Sequence, residues 1–306
     1  MQDKIDRAVE EIGKVLLGKE EQIRLALCCL LARGHLLIED LPGMGKTTLS
    51  HALASVLGLS YNRIQFTSDL LPADILGVSI FDQSSNAFSF HPGPVFAQLL
   101  LADEINRTTP RTQSALLEAM AEGQVTVEGE TRGLPEPFFV IATQNPVNQS
   151  GTYPLPESQL DRFLMRIELG YPDPRAERQM FLQDGDGLTA QALDSCLSVD
   201  ELIQIRQAVD KVHASDALLD YLQRIVGHTR NAAEFAYGLS PRGALALLHS
   251  ARTWAYMAGR NHVVPEDLQK VLPPVAAHRL VPTSEYAGDS AALVRDLLAH
   301  VDVIAA

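Results

Sequence analysis

Helix-spaced apolar positions alternate with short apolar runs through the first half of the chain. The helical spacing predicts helices over 3–17, 21–33, 47–57 and 111–122. The apolar runs predict buried strands at 35–38, 64–66, 99–103, 138–143 and 165–169. Strands that alternate with helices in this way indicate an α/β domain built on a parallel sheet.

The strand pattern stops after about residue 175. Helices are predicted over 199–212, 216–230, 241–257 and 265–272. The third of these has a strong start signal, with Ser240 as N-cap and Pro241 at the first helical position. We therefore predict two domains, an α/β domain over residues 1–172 and a linker with an all-helical domain over 173–306.

Residues 61–98 have an irregular pattern. It predicts a turn into a short helix at 69–74, then two short strands at 77–81 and 87–90 around a polar turn at 82–86. Residues 91–94 are predicted to turn into a helix that precedes the strand at 99–103. Farther on, 124–132 alternates and turns at Glu128-Gly129, which predicts a β-hairpin.

Composition limits the possible functions. The chain has 306 residues, 46% of them hydrophobic, and a formal net charge of −13. This charge argues against a nucleic-acid partner, although a local basic patch is compatible with it. Its three cysteines, Cys28, Cys29 and Cys196, form no C-x-x-C motif, so we expect buried free thiols. Without an apolar leader or a membrane-spanning run, a soluble cytoplasmic protein is expected.

The segment 40–47 reads Asp-Leu-Pro-Gly-Met-Gly-Lys-Thr and follows an apolar strand. A strand, a glycine-containing turn and a helix start form a phosphate-binding loop, in which backbone amides face anionic oxygens. Lys46 would reach the β- and γ-phosphates, and the Thr47 hydroxyl would bind Mg²⁺. Asp40 stands where this motif has glycine. The turn remains possible because aspartate tolerates left-handed geometry, but the carboxylate must point away from the phosphates.

Two acids end the strand at 99–103. Because ligands bind at the carboxyl ends of parallel strands, Asp103 is predicted to hold Mg²⁺ and Glu104 to orient the attacking water. Asn145 follows the strand at 138–143, where its amide can hold that water or a γ-phosphate oxygen. An ordinary Asn-Pro turn is the alternative.

Two arginines are further candidates. Arg162 lies just before the last strand, and a surface arginine paired with an acid is the alternative. Arg242 lies in the first turn of a helix, where the helix dipole disfavours a cation. An ATP phosphate would compensate for this, and a solvated arginine is the alternative.

Several long strings are similar to the MoxR family of AAA+ ATPases. The strings cover residues 93–96, 101–107, 116–120, 142–146, 151–157 and 160–163, and more weakly 240–243. The resemblance implies an AAA+ core with a helix-2 insert over 67–90 and a hairpin before sensor 1 over 124–132. It also implies a helical lid.

The resemblance assigns roles to individual residues. The Walker A loop would bind the nucleotide through Pro42, Gly43, Met44, Gly45, Lys46, Thr47 and Thr48. Leu17 and Gly18 would line the adenine pocket through their backbone. Asp103 and Glu104 would form Walker B, with Thr47 and Asp103 holding Mg²⁺, and Asn145 would be sensor 1. Arg162 would be the arginine finger, and Arg242 would be sensor 2, tying the lid to the γ-phosphate.

AAA+ proteins of this kind are similar in forming rings, usually hexamers. By resemblance to MoxR relatives, the ring is expected to act on protein clients and to have von Willebrand factor A domain proteins as partners. The resemblance therefore implies a chaperone-like remodeller or maturation factor that uses ATP and Mg²⁺. A nucleic-acid motor is one alternative, although the acidic tip Glu128-Gly129-Glu130 would repel phosphate. A nucleotide-gated scaffold with little turnover is another. Phe81, Phe88 and Phe90 of the insert would form a small satellite core or grip a client, and we expect the core.

Overall fold

A five-stranded sheet lies at the centre of the protein. The structure is a computed structural model, and it describes residues 1–84, 86–145, 151–182, 190, 193–286 and 288–304. Numbered in chain order, the strands of this sheet are β1 (Leu36–Glu39), β2 (Tyr61–Gln65), β5 (Leu99–Asp103), β8 (Phe139–Gln144) and β9 (Met165–Ile167). Their order is β2-β5-β8-β1-β9, and every neighbouring pair is parallel. The predicted parallel α/β sheet is confirmed.

Helices cover both faces of this sheet. They are α1 (Gln2–Gly13), α2 (Glu20–Leu31), α3 (Lys46–Val56), α4 (Pro72–Leu76), η1 (Ile105–Arg107), α5 (Pro110–Glu122) and α6 (Glu157–Leu160). Leu36 and Ile38 join one buried cluster with α1, α2 and α3, whereas Leu37 joins a second cluster with α5. Because successive strand residues point to opposite faces, burial of both faces explains why the strands are apolar throughout.

Two hairpins project from this domain. One pairs β3 (Gly77–Asp82) with β4 (Ala87–Pro92), and the other pairs β6 (Gln124–Val127) with β7 (Glu130–Gly133). In the second hairpin Glu128 and Gly129 have φ of +54° and +83°. Two consecutive left-handed residues match a tight hairpin turn, as predicted. Of the first hairpin's predicted turn at 82–86, Ser85 lies outside the described residues.

The helix predicted between residue 94 and β5 is absent, so this expectation was wrong. Residues 94–98 form turns and bends. The Val95 amide donates to the Ile75 carbonyl at 3.2 Å, and the Phe96 amide donates to the Gly93 carbonyl at 3.1 Å. The segment is too short for a stable helix, and its backbone instead bonds to the end of α4 and closes a turn after β4.

The remaining chain is mostly helical. Its helices are α7 (Pro174–Leu182), α8 (Val199–Val209), α9 (Asp216–Asn231), α10 (Pro241–Met257), α11 (Pro265–Ala276) and α12 (Ser290–His300). The Ser240 hydroxyl accepts from the Gly243 amide at 3.0 Å, as predicted for an N-cap. One difference from an all-helical region is the antiparallel pair β10 (Phe235–Tyr237) and β11 (Val281–Pro282).

The helical region packs directly on the α/β domain. Ile38 of the sheet and Val271 of α11 belong to one continuous buried cluster. Cys28 and Cys29 are buried in this cluster as free thiols, and burial raises their pKa. The predicted boundary at 172/173 therefore marks a change from mixed to mostly helical structure, while the buried core continues across it. As a domain boundary it stays a prediction. None of the described helices combines the length and the apolar character needed to cross a membrane.

Candidate active site

The phosphate loop connects β1 to α3. Gly45 has φ +92°, and a Cβ atom there would lie only 2.7 Å from Cδ1 of Leu16. Glycine at this position therefore meets a conformational requirement, and a larger residue would also displace the end of the Leu16 side chain. Lys46 and Thr47 begin α3 directly after it. Amides in the first turn of a helix have no helical partner, and with the helix dipole they form an anion-binding site.

Asp40 points away from the phosphate loop. Its Oδ2 accepts from the amides of Leu169 at 2.8 Å and Gly170 at 2.6 Å. Its Oδ1 accepts from the Leu41 amide at 2.7 Å. The carboxylate thus ties the start of the loop to the segment after β9. The carboxylate therefore points away from the phosphate-binding side of the loop, which is what an aspartate at this position requires.

Lys46 lies buried between the loop and the end of β8. Its Nζ donates to the Asp40 carbonyl at 2.7 Å and to Oδ1 of Asn145 at 3.4 Å. Burial lowers the pKa of Lys46, and the carboxylates of Asp103, Asp40 and Glu104 oppose this shift. The acids thus favour the charged ammonium group, which makes strong charge-assisted hydrogen bonds to phosphate oxygens.

The two acids at the end of β5 are held by β8. Thr143 Oγ1 donates to Asp103 Oδ1 at 2.6 Å and accepts from the Glu104 amide at 2.9 Å. Glu104 has φ +58°, a left-handed conformation that is uncommon for residues with a side chain. Strain of this kind is often found at functional sites. The bend directs Glu104 toward Asn145, whose Nδ2 donates to Glu104 Oε1 at 2.9 Å.

Lys46, Asp103, Glu104 and Asn145 therefore lie together at the carboxyl edge of the sheet, as the sequence predicted. The neighbouring Pro146 lies outside the described residues. Asn145 is itself buried, and its carbonyl accepts from Asn106 Nδ2 at 3.2 Å. Hydrogen bonds to its side chain and to its backbone carbonyl hold Asn145 in one orientation.

Sequence reasoning missed three polar partners of the acids. Arg63 pairs with Asp103 Oδ2 at 2.7 Å, and Gln65 Nε2 donates to Glu104 Oε2 at 2.9 Å. Arg107 lies 3.1 Å from the same Glu104 oxygen. Arg63 and Gln65 alternate along β2, so they share one face of that strand. This alternation was the available signal, but it does not reveal that β2 lies beside β5.

The loop between α1 and α2 lies beside the phosphate loop. Gly18 has φ +70°, and a Cβ atom there would lie 2.8 Å from the Ala176 Cβ and 2.9 Å from Asp173 Oδ2. Lys19 Nζ donates to the Tyr171 carbonyl at 2.6 Å. Together with the contact between Leu16 and Gly45, these contacts bring Leu17 and Gly18 to the edge of the nucleotide loop.

Arg162 and Arg242 lie elsewhere. They share a cavity of about 250 Å³ with Arg33 and Arg279. Arg162 Nη1 donates to the Leu117 carbonyl at 3.0 Å, and Arg242 Nη1 lies 3.8 Å from Asp161 Oδ2.

This cavity lies at the amino edge of the sheet. Leu164 and His35, the residues before β9 and β1, join there through a 2.9 Å backbone hydrogen bond. The four residues of β1 separate the two edges by about 13 Å at roughly 3.3 Å per residue. The N-terminus of α10, which carries Arg242, therefore lies at the edge opposite to the phosphate loop of its own subunit. The sensor 2 role of Arg242 stays a prediction.

The carboxyl-edge cluster also suits Mg²⁺. The Thr47 hydroxyl is exposed, and Asp103 supplies a carboxylate, so both offer the oxygen ligands that Mg²⁺ prefers. Among the described residues no cluster of three or more His, Cys, Asp or Glu side chains could hold a metal alone.

The fold and the site define an AAA ATPase. Residues 35–165 match the model described as ATPase family associated with various cellular activities, and 227–297 match the AAA lid domain. The chain is 40% identical to Chaperone MoxR1 of Mycobacterium tuberculosis over 93% of its own length and 78% of that protein. The chain belongs to the MoxR family of AAA ATPases.

Two further comparisons agree. The chain is 44% identical to protein YeaC of Bacillus subtilis over 98% of its own length and 94% of that protein. A crystal structure of a candidate ATPase from Cytophaga hutchinsonii superposes with a TM-score of 0.90 at 36% identity. That superposition covers 98% of this chain and 95% of the other.

Proposed function

We propose that this protein hydrolyses ATP with Mg²⁺ in a ring, and that the arginines of one subunit complete the site of the next. The observation that carries this proposal is the separation of the two groups across the sheet. Lys46, Glu104 and Asn145 lie at the carboxyl edge, whereas Arg162 and Arg242 lie at the amino edge. One subunit therefore carries two halves of a site that meet only between copies.

The chemistry follows from these positions. Lys46 and the first turn of α3 would bind the phosphates, and Thr47 and Asp103 would hold Mg²⁺, which would neutralise charge on the phosphates. Glu104 would orient the attacking water, with Asn145 fixing its carboxylate. Arg162 and Arg242 of a neighbouring subunit would stabilise the charge that develops on the transferred phosphate. The ring would be hexameric by resemblance to other AAA+ proteins.

The client would be a protein, and a von Willebrand factor A domain protein would be a partner. The β3–β4 hairpin supports a protein client because Phe88 is 71% exposed and Phe81 is 46% exposed. The other hairpin has an acidic tip at Glu128 and Glu130, and the whole chain has a net charge of −13. Nucleic acid would be repelled by these charges. The name of Chaperone MoxR1 agrees with a protein client.

Glu104→Gln and Arg162→Ala test this proposal together. Each variant alone should lose ATP hydrolysis, Glu104→Gln by about a hundredfold or more, while it still binds ATP. Mixed rings should recover activity, because some interfaces pair an intact Glu104 with an intact Arg162. The measurement is steady-state phosphate release at increasing ratios of the two variants. Undiminished hydrolysis by Glu104→Gln, or no recovery when subunits demonstrably exchange, contradicts the proposal.

A further inference from the structure

Arg279 lies just after α11 and is almost fully buried, with its side chain 5% exposed. Burying a guanidinium group is costly unless its donors are satisfied. Its hydrogen bonds reach across to the segment that carries Arg162. Nε donates to Asp161 Oδ1 at 2.7 Å, and Nη2 donates to the Phe163 carbonyl at 2.7 Å.

Two more hydrogen bonds of Arg279 reach the same segment, while Nη1 also contacts Val275 and His278 beside it. Nη2 donates to the Asp161 carbonyl at 3.2 Å, and Nη1 donates to the Leu164 carbonyl at 3.1 Å. Arg279 therefore holds the backbone on both sides of Arg162, whose side chain lines the cavity and donates to the Leu117 carbonyl. The guanidinium group holds five donors in a planar, rigid fork, whereas a lysine ammonium has three donors and no planar fork.

Arg242 is linked to the same network through Asp161. One carboxylate oxygen of Asp161 accepts from Arg279, and the other lies 3.8 Å from Arg242 Nη1. The Arg242 side chain is 72% exposed, and Asp161 is its only ion-pair partner in the described part of the chain. Without Arg279, both the position of Asp161 and the charge balance of the cavity would change.

We propose that Arg279 is a positioning residue that holds Arg162 and Arg242 in the geometry needed by the neighbouring subunit's nucleotide. This inference rests on the proposed function, in which these arginines act between subunits. Arg279, a buried residue of the helical region, would affect ATP hydrolysis in the neighbouring subunit and not nucleotide binding in its own subunit. A purely structural tie between α11 and the sheet would instead affect folding alone.

Subunit mixing separates these possibilities. Arg279→Lys keeps the charge but loses the fork, so kcat should fall by roughly tenfold or more while the KM for ATP stays nearly unchanged. Adding inactive Glu104→Gln subunits should restore activity, because they supply an intact amino edge to a partner with an intact nucleotide site. Adding Arg162→Ala subunits should not restore it, since both variants are defective at the same edge.

Arg260→Lys is the matched control. Arg260 is likewise paired with a carboxylate, donating two hydrogen bonds to Asp267, both at 2.6 Å, but it lies away from this cavity. This variant should keep its kcat. If Arg279→Lys does not fold, Asp161→Asn tests the same network with the same mixing pattern.

Three outcomes overturn the inference. They are an unchanged kcat in Arg279→Lys, rescue of that variant by Arg162→Ala subunits, and an equal loss of kcat in Arg260→Lys. If the reference pair of Glu104→Gln with Arg162→Ala does not complement, the proposed function fails and not the role of Arg279 alone.

Discussion

Arg63 occupies one oxygen of the carboxylate that is expected to bind Mg²⁺. Because a cation and a metal compete for the same charge, Arg63→Gln should lower the Mg²⁺ concentration needed for ATP binding. A partly exposed ion pair contributes up to about 1 kcal/mol, so the expected shift is roughly two- to fivefold. The measurement is a Mg²⁺ titration of fluorescent ATP analogue binding, with calorimetry as a second readout.

Arg107→Gln is the control for this prediction. It removes the same charge from the same edge of the sheet, but its partner is Glu104 and not Asp103. The Mg²⁺ midpoint should move less in Arg107→Gln than in Arg63→Gln. Equal shifts would show a general effect of net charge and would contradict direct competition at Asp103.

Among single residues, the sequence predicted the candidate nucleotide-site residues better than the residues that hold their side chains in place. Lys46, Glu104 and Asn145 meet as expected, because the ends of parallel strands share one edge. Arg63 and Arg279 were missed, since their partners come from strand order and from helix packing. Neither is visible in local spacing.

The β3–β4 hairpin corrects the expectation of a satellite core for two of its three phenylalanines. Phe90 packs against Phe96 with ring centroids 5.7 Å apart, and the Arg132 guanidinium lies 4.0 Å from its ring. Phe81 and Phe88 contact each other at 5.2 Å but remain exposed. A two-stranded hairpin has no third layer at its tip to cover them.

These two exposed rings give a prediction for the hairpin. The double variant Phe81→Ser with Phe88→Ser should bind a permanently unfolded model protein more weakly, by about tenfold or more. Fully burying one such ring contributes about 1.5–3 kcal/mol, and about 1.4 kcal/mol corresponds to a tenfold change in affinity. Basal ATP hydrolysis should stay unchanged. The measurement is fluorescence anisotropy of the labelled unfolded protein with the ATP-bound Glu104→Gln ring, whose hairpins are the same.

Phe181→Ser is a matched control, since Phe181 is equally exposed at 71% but belongs to α7. It should leave binding of the unfolded protein unchanged. Duplex or single-stranded DNA should neither bind tightly nor stimulate hydrolysis at physiological salt. Tight, salt-sensitive DNA binding with several-fold stimulation would favour the nucleic-acid motor instead.

Elements were predictable where their pattern was long. The central strands and helices α5, α9 and α10 follow apolar periodicity over enough residues to identify them. Helix α12 was missed, although its buried Leu293, Val294 and Leu297 have helical spacing. The pair β10–β11 and the helices α6 and α7 were not predicted either, because two to four residues carry no periodicity and only Ala176 of α7 is buried. Tertiary packing, and not propensity, decides elements of this length.

For the whole molecule, assembly should depend on ATP. Glu104→Gln with ATP should sediment as a ring, because a bound γ-phosphate gives the neighbour's arginines a charge to pair with. Lys46→Ala should sediment as smaller species at the same concentration, since it lacks the phosphate contact. Analytical ultracentrifugation at micromolar protein with ATP, with ADP and without nucleotide measures this. A monomer in every nucleotide state would rule out the ring.

The distance between the two edges of the sheet also has a kinetic consequence. In the proposed arrangement a lone subunit holds only one half of a complete site, so turnover per subunit should decline steeply on dilution. An enzyme complete in one chain keeps its specific activity. The rate of ATP hydrolysis per subunit would then rise with protein concentration, and little ATP would be hydrolysed at low expression. Abundance itself would act as the regulator, with no separate inhibitor needed.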